Sequence, residues 1–177
     1  ETLARAAKRV EQELGEQLLC IDLNMGCPTP KITSNGDGSA LMQNPVLAGK
    51  IIEATVKAAG VPVTVKFRKG WDAAHANAVD FAKMCEDSGA SLLTIHGRTR
   101  EQLYAGKADR ACMAAVKRAV TVPVLANGDV VSGESALSLF SETGCDGVMI
   151  GRGALGNPFL FEEVQCAFAG KPYTPPT

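Results

Sequence analysis

The 177 residues carry 18 Lys and Arg against 19 Asp and Glu, a formal charge of −1, and 46% of them are hydrophobic. That is the length of one domain with enough apolar content for a sizeable core, and its near-neutral charge gives no sign of a nucleic-acid partner in bulk. No apolar run reaches membrane-spanning length, and no signal peptide precedes the first pattern. The six cysteines (Cys20, Cys27, Cys85, Cys112, Cys145, Cys166) form no C-x-x-C pair and have no His at zinc-ligand spacing, so no metal is expected. Reduced thiols in a cytoplasmic protein are the simplest reading.

Leu3, Ala6, Ala7, Val10 and Leu14 recur at helical spacing, with Gly15 as a stop. The chain opens at Glu1 rather than Met and inside this helical pattern, which points to a piece of a longer protein. Leu18 to Asn24 reads as a buried strand. Asn44-Pro45 opens a helix, as N-cap and first-turn proline, that runs to about Ala59 and ends at Gly60. The pattern then alternates: strand Pro62 to Arg68, helix Ala74 to Ser88, strand Ser91 to His96, helix Arg110 to Ala119. Strand Val122 to Asn127, helix Ser132 to Thr143 and strand Asp146 to Gly151 complete it. The Pro-rich stretch from Gly170 to Thr177 reads as the start of a linker to a further domain.

Five strands separated by helices predict a parallel sheet, either open and doubly wound or a (β/α)8 barrel. Parity chooses between them. One face carries Ile21, Leu23, Val63, Val65, Phe67, Leu93 and Ile95, preceded by Leu19 in the first strand. The other carries Cys20, Asp22, Asn24, Thr64, Lys66, Arg68, Thr94 and His96. Helices on both faces would demand strands apolar on both sides, whereas a barrel turns one face inward toward a polar mouth. The expectation is a partial (β/α)8 TIM barrel over residues 1–169, holding the last five strands. A whole barrel takes about 250 residues, so the first three would precede Glu1.

Cys27 lies just past a strand end, where barrel active sites form, between Gly26 and Pro28; a lone Cys is also commonly an inert core residue. Lys66 sits on the inward face, either paired with Asp22 or free to stabilise negative charge. His96 is inward too, as a satisfied core His or a ligand contact; His75 receives no role. Gly128 and Gly151 follow the last two strands, where barrels bind phosphate through backbone N–H groups. Gly151 to Gly156 also fits G-x-G-x-x-G, but no acidic residue ending a next strand follows, so the barrel loop explains the glycines better. Lys31, Arg68, Lys69, Arg98, Arg100 and Arg152 fall beyond strand ends, either as ordinary surface charge or as a basic rim suited to RNA phosphates.

The run Asn24-Met25-Gly26-Cys27-Pro28 with its following Lys31 and Gly-rich stretch resembles the signature of the tRNA-dihydrouridine synthases. Four further motifs continue the match in order: Val65-Lys66-Phe67-Arg68, Ile95 to Arg100, Ala126-Asn127-Gly128-Asp129, and Gly147 to Gly153. The resemblance implies FMN-dependent reduction of uridine to dihydrouridine in tRNA, with NADPH as electron donor. It makes Cys27 the general acid. Lys66 and His96 would contact the flavin ring. Asn127, Gly128 and Asp129, with Gly151 and Arg152, would hold the ribityl phosphate. Asn24 would touch the target uracil, with Arg98 as a further substrate contact on the rim. Two other classes stay open: an FMN barrel acting on a free pyrimidine or enone, and a non-catalytic phosphate-binding barrel fragment.

Overall fold

The computed structural model describes residues 2–175, so the stretch expected as a linker over 170–177 lies partly outside the described residues. Five strands pair in parallel: β1 (Ile21–Asn24), β2 (Val63–Arg68), β3 (Leu92–His96), β4 (Val124–Asn127) and β5 (Gly147–Met149). Their spatial order is their chain order, β1-β2-β3-β4-β5, with no reversal. A doubly wound sheet reverses its order at a switch point, whereas a barrel adds each strand beside the last. The fold is therefore an arc of five successive units of a (β/α)8 barrel.

Helices α3 (Pro45–Ala58), α4 (Ala78–Asp87), α5 (Arg110–Ala119) and α6 (Gly133–Thr143) join the strands. Helix α1 (Thr2–Leu14) precedes them, and α2 (Pro30–Thr33) lies in the loop after β1. Sequence logic sets several boundaries. Asn44 accepts the N–H of Leu47 at 3.1 Å with Pro45 in the first turn, and Ser132 and Ser135 cap α6 reciprocally. The outward strand face packs on the helices: Val63, Val65, Phe67, Leu93, Ile95, Val124 and Ala126 are buried, and the Phe67 and Phe81 rings lie 5.3 Å apart. No helix among the described residues is long and apolar enough to cross a membrane.

Several expected spans shorten, the strand expected from Val122 among them, which begins at Val124. The first strand begins at Ile21, not Leu18, and Leu19 is 83% exposed. The Ile21 N–H donates to Pro62 O at 2.9 Å, but proline has no N–H to return to Leu19, so the ladder stops. The helix expected from Ala74 starts at Ala78, because Asp72 accepts the N–H of His75 at 2.9 Å and holds a turn there. The last strand ends at Met149, and a 3-10 turn follows at Arg152–Ala154. The sequence also hid α2, a 3-10 turn at Gly38–Gln43, and α7 (Leu160–Phe168), which covers α6 where Glu163 accepts the Gly133 N–H at 2.7 Å.

Candidate active site

The inward faces open at the C-terminal strand ends into a cleft of about 570 Å³. Strand register explains its composition. Asn24 and Lys66 are Cα partners across β1 and β2. Arg68, His96, Asn127 and Met149 follow one another as partners across β2 to β5. In-register parallel residues share a face, so these side chains, polar except for Met149, are brought together by the sheet itself. Asn24, Cys27, Lys66, His96 and Asn127 line the cleft, as do Gly128, Asp129, Gly151 and Arg152. Arg98 does not.

The loop carrying Cys27 is fixed from three sides. Asn24 Oδ1 accepts the Gly26 N–H at 3.1 Å, and Arg68 Nε donates to Gly26 O at 2.8 Å. The Ser39 N–H donates to Cys27 O at 3.0 Å. Gly38, at φ +59°, presses so closely that a Cβ there would lie 2.8 Å from Cys27 O, which only glycine avoids. The thiol lies 3.4 Å from Thr29 Oγ1.

Lys66 is not paired with Asp22. That carboxylate accepts from Thr64 Oγ1 at 2.7 Å, and Lys66 makes no ion pair among the described residues. Burial lowers the pKa of its ammonium group below the usual lysine value, and Arg68 adds to the effect while Asp22 opposes it. His96 is buried beside Arg68, Lys66 and Arg98, and burial first, then these cations, push it down to about 3. Its imidazole is thus neutral at ordinary pH, and its buried Nδ1 has no hydrogen-bond partner among the described residues.

On the opposite side, Asn127 Nδ2 donates to Met149 O at 2.8 Å and ties β4 to β5. Gly128 and Asp129 follow with φ +137° and +59°, which turns the backbone sharply over the cleft. The Asp129 carboxylate faces away, accepting from Ala108 N–H at 2.7 Å and from Arg98 Nη2 at 2.7 Å. Burial alone would raise its pKa, but these donors outweigh it and hold the group below the usual carboxylate range. Asp129 therefore offers an anion its N–H and not its side chain. The exposed Arg152 guanidinium lies 4.1 Å over the Tyr104 ring.

The expected basic rim is largely absorbed by the scaffold. The Arg98 side chain is only 2% exposed and donates to Ala105 O, Gly106 O and Asp129, so it clasps the 105–106 turn to the loop after β4 instead of lining the cleft. Arg68 is buried and donates to Thr99 O and Leu103 O as well as Gly26 O. Lys69 pairs with Asp109 at 2.7 Å, and Arg100 stacks 4.6 Å from the Trp71 ring. Lys31 and Arg152 remain exposed. Sequence reasoning missed Thr29, Tyr104, the Val130-Val131 pair and Met149 in the lining, which also includes Arg68. Met149 lay within the Gly147 to Gly153 motif without a role, and the others follow no period or motif; Tyr104 is presented by a loop in which Leu103 takes φ +49°. Among the described residues no group of three or more His, Cys, Asp or Glu is placed to hold a metal ion.

The family model for dihydrouridine synthase matches residues 1–176. The tRNA-dihydrouridine synthase B of Pseudomonas aeruginosa is 47% identical over 92% of this chain and 48% of its own length. The same-named proteins of Shewanella oneidensis and Xanthomonas axonopodis pv. citri are 48% and 46% identical, over 93% and 99% of this chain and 50% and 52% of theirs. The chain spans about half the length of these curated relatives. A solved mandelate racemase/muconate lactonizing enzyme from a marine actinobacterium shares the fold alone, with a TM-score of 0.62 at 16% identity, over 96% of this chain and 41% of that one. With nearly every residue inside the family model and close to half of them identical to each relative, the chain belongs to the dihydrouridine synthase family.

Proposed function

We propose that this chain is the catalytic part of an enzyme that reduces uridine to dihydrouridine in tRNA, using FMN recharged by NADPH, in the cytoplasm. The observation that carries the reading is the meeting of Cys27, Asn24, Lys66 and neutral His96 in one cleft at the C-terminal strand ends.

Its residues fit FMN. The volume lies within the roughly 300–1,000 Å³ of small-molecule sites. The backbone N–H groups of Gly128, Asp129, Gly151 and Arg152 have no acceptor among the described residues, which suits a phosphate. The Arg152 guanidinium stands beside them. The orphaned Nδ1 of His96 and the unpaired Lys66 ammonium suit the polar edge of a ring. When bound, the reduced flavin would supply a hydride to the uracil ring.

The chain's own residues then have defined work. Asn24 commits its Oδ1 to Gly26 and keeps its amide N–H groups for a uracil carbonyl. Hydride addition leaves an enolate-like anion, and the Cys27 thiol gives its proton to the neighbouring ring carbon. A uracil must leave its stack to enter the cleft, because its reacting atoms are inaccessible within a helix.

The test uses the full-length protein with its flavin reduced anaerobically and mixed rapidly with tRNA or with free uridine. Cys27→Ala is expected to keep its flavin and to reoxidise with tRNA roughly 10²–10⁴-fold more slowly than wild type. Reoxidation of Cys27→Ala at the wild-type rate removes Cys27 as proton donor. Faster turnover with free uridine than with tRNA points to a small-molecule reductase instead.

A further inference from the structure

The Cys27 carbonyl accepts the Ser39 N–H and Gly38 packs close to that carbonyl, so the backbone is held on this side and rotation about Cα–Cβ sets where the sulfur points. Among the described residues one side chain hydrogen-bonds the sulfur, the hydroxyl of Thr29 at 3.4 Å. That hydroxyl is free for the purpose. Thr29 occupies the N-cap position of α2, where a threonine ordinarily accepts a backbone N–H from the first turn, yet its side chain makes no capping bond. Threonine is β-branched and stiff about χ1, so its oxygen is presented at a set angle.

We infer that Thr29 is the positioning residue for the Cys27 thiol, orienting it toward the cleft and donating to the sulfur once its proton has left. The inference rests on Cys27 as proton donor. When the S–H bond breaks, its electron pair stays on sulfur and the proton goes to the ring carbon made anionic by hydride from the reduced flavin. The Thr29 hydroxyl accepts from the thiol before that step. Afterwards it turns and donates to the thiolate, and a proton from solvent later restores the thiol. Water can play the same part in the open cleft. A substrate covering the mouth expels it, leaving Thr29 as the partner the protein itself supplies.

The test reads Cys27 directly. In the full-length protein, iodoacetamide labelling is followed by mass spectrometry across a pH series, and cleavage before Asp22 separates the Cys27 peptide from exposed Cys20. Thr29→Val, which keeps the shape and removes the hydroxyl, is expected to label roughly 3- to 10-fold more slowly at neutral pH. Thr29→Ser should restore the wild-type profile. An unchanged profile in Thr29→Val overturns the inference, whatever the variant does to turnover. A shifted profile with tRNA turnover at the wild-type rate leaves the contact standing and instead removes Cys27 as the acid of the rate-limiting step.

Discussion

Arg98 Nη2 lies 2.7 Å from Asp129 Oδ1, and the arginine side chain is 2% exposed while the carboxylate is 36% exposed. This pair joins the loop after β3 to the loop after β4, and the latter carries the N–H groups proposed for phosphate. Asp129→Asn keeps the side-chain shape and tolerates φ +59°, but leaves a buried guanidinium without its counter-charge. Breaking one side of a buried pair costs about 3–5 kcal/mol, and the half-exposed carboxylate sets the expectation near the lower figure. Urea denaturation checks it; a loss under about 0.5 kcal/mol means that the clasp does not need the charge.

The neutral, buried His96 makes stability pH-dependent. Its folded value of about 3 lies below its ordinary 6.5, so between these limits the unfolded chain binds a proton that the folded protein does not. The contribution is fully present above pH 6.5 and is lost as pH falls toward 3, at up to about 1.4 kcal/mol per unit. His96→Gln should flatten the dependence between pH 6.5 and 4.5. Parallel wild-type and variant curves of unfolding free energy against pH would show that the imidazole titrates normally.

Gly153 lies where the loop after β5 crosses the loop after β4, and a Cβ there would overlap Val130 O. Backbone cannot yield as a flexible side chain does, so Gly153→Ala should cost about 1–3 kcal/mol as an overpacked site. It should also weaken FMN binding by displacing Arg152. The pairing of a thermal melt with flavin titration tests both; an unshifted melt shows that the two loops separate freely.

Arg152→Ala should weaken FMN binding by about 1.5–3 kcal/mol, as expected for one charge-assisted hydrogen bond. Tyr104→Leu removes the ring under that guanidinium, 4.1 Å away, and should cost roughly 0.5–1 kcal/mol, the worth of an exposed cation–π contact. Fluorescence titration of the apoprotein with FMN separates the two. Equal affinities for wild type and Arg152→Ala move the phosphate site elsewhere.

The amino-acid sequence by itself determined the barrel character and most of the cleft. A strand repeats every second residue, so Val63, Val65 and Phe67 were bound to one face and Thr64, Lys66 and Arg68 to the other, whatever the strands paired with. The motifs after the strand ends, with Cys27, His96, Gly128 and Gly151, then had one place to meet. What lay beyond local period was decided only in three dimensions. Lys66 lost its expected partner because the neighbouring Thr64 hydroxyl took the Asp22 carboxylate. Arg98 left the cleft and Arg68 became part of its buried wall because carbonyls of the 99–106 segment accept from both, with Leu103 at φ +49°. Whether a cation after a strand faces solvent or floor depends on which carbonyls and carboxylates the chain brings back to it from 30 or more residues away in Asp129 and Thr99. Hydrophobic periodicity carries no record of such returns, since each is set by loop conformations and by the competition among donors for a few buried acceptors.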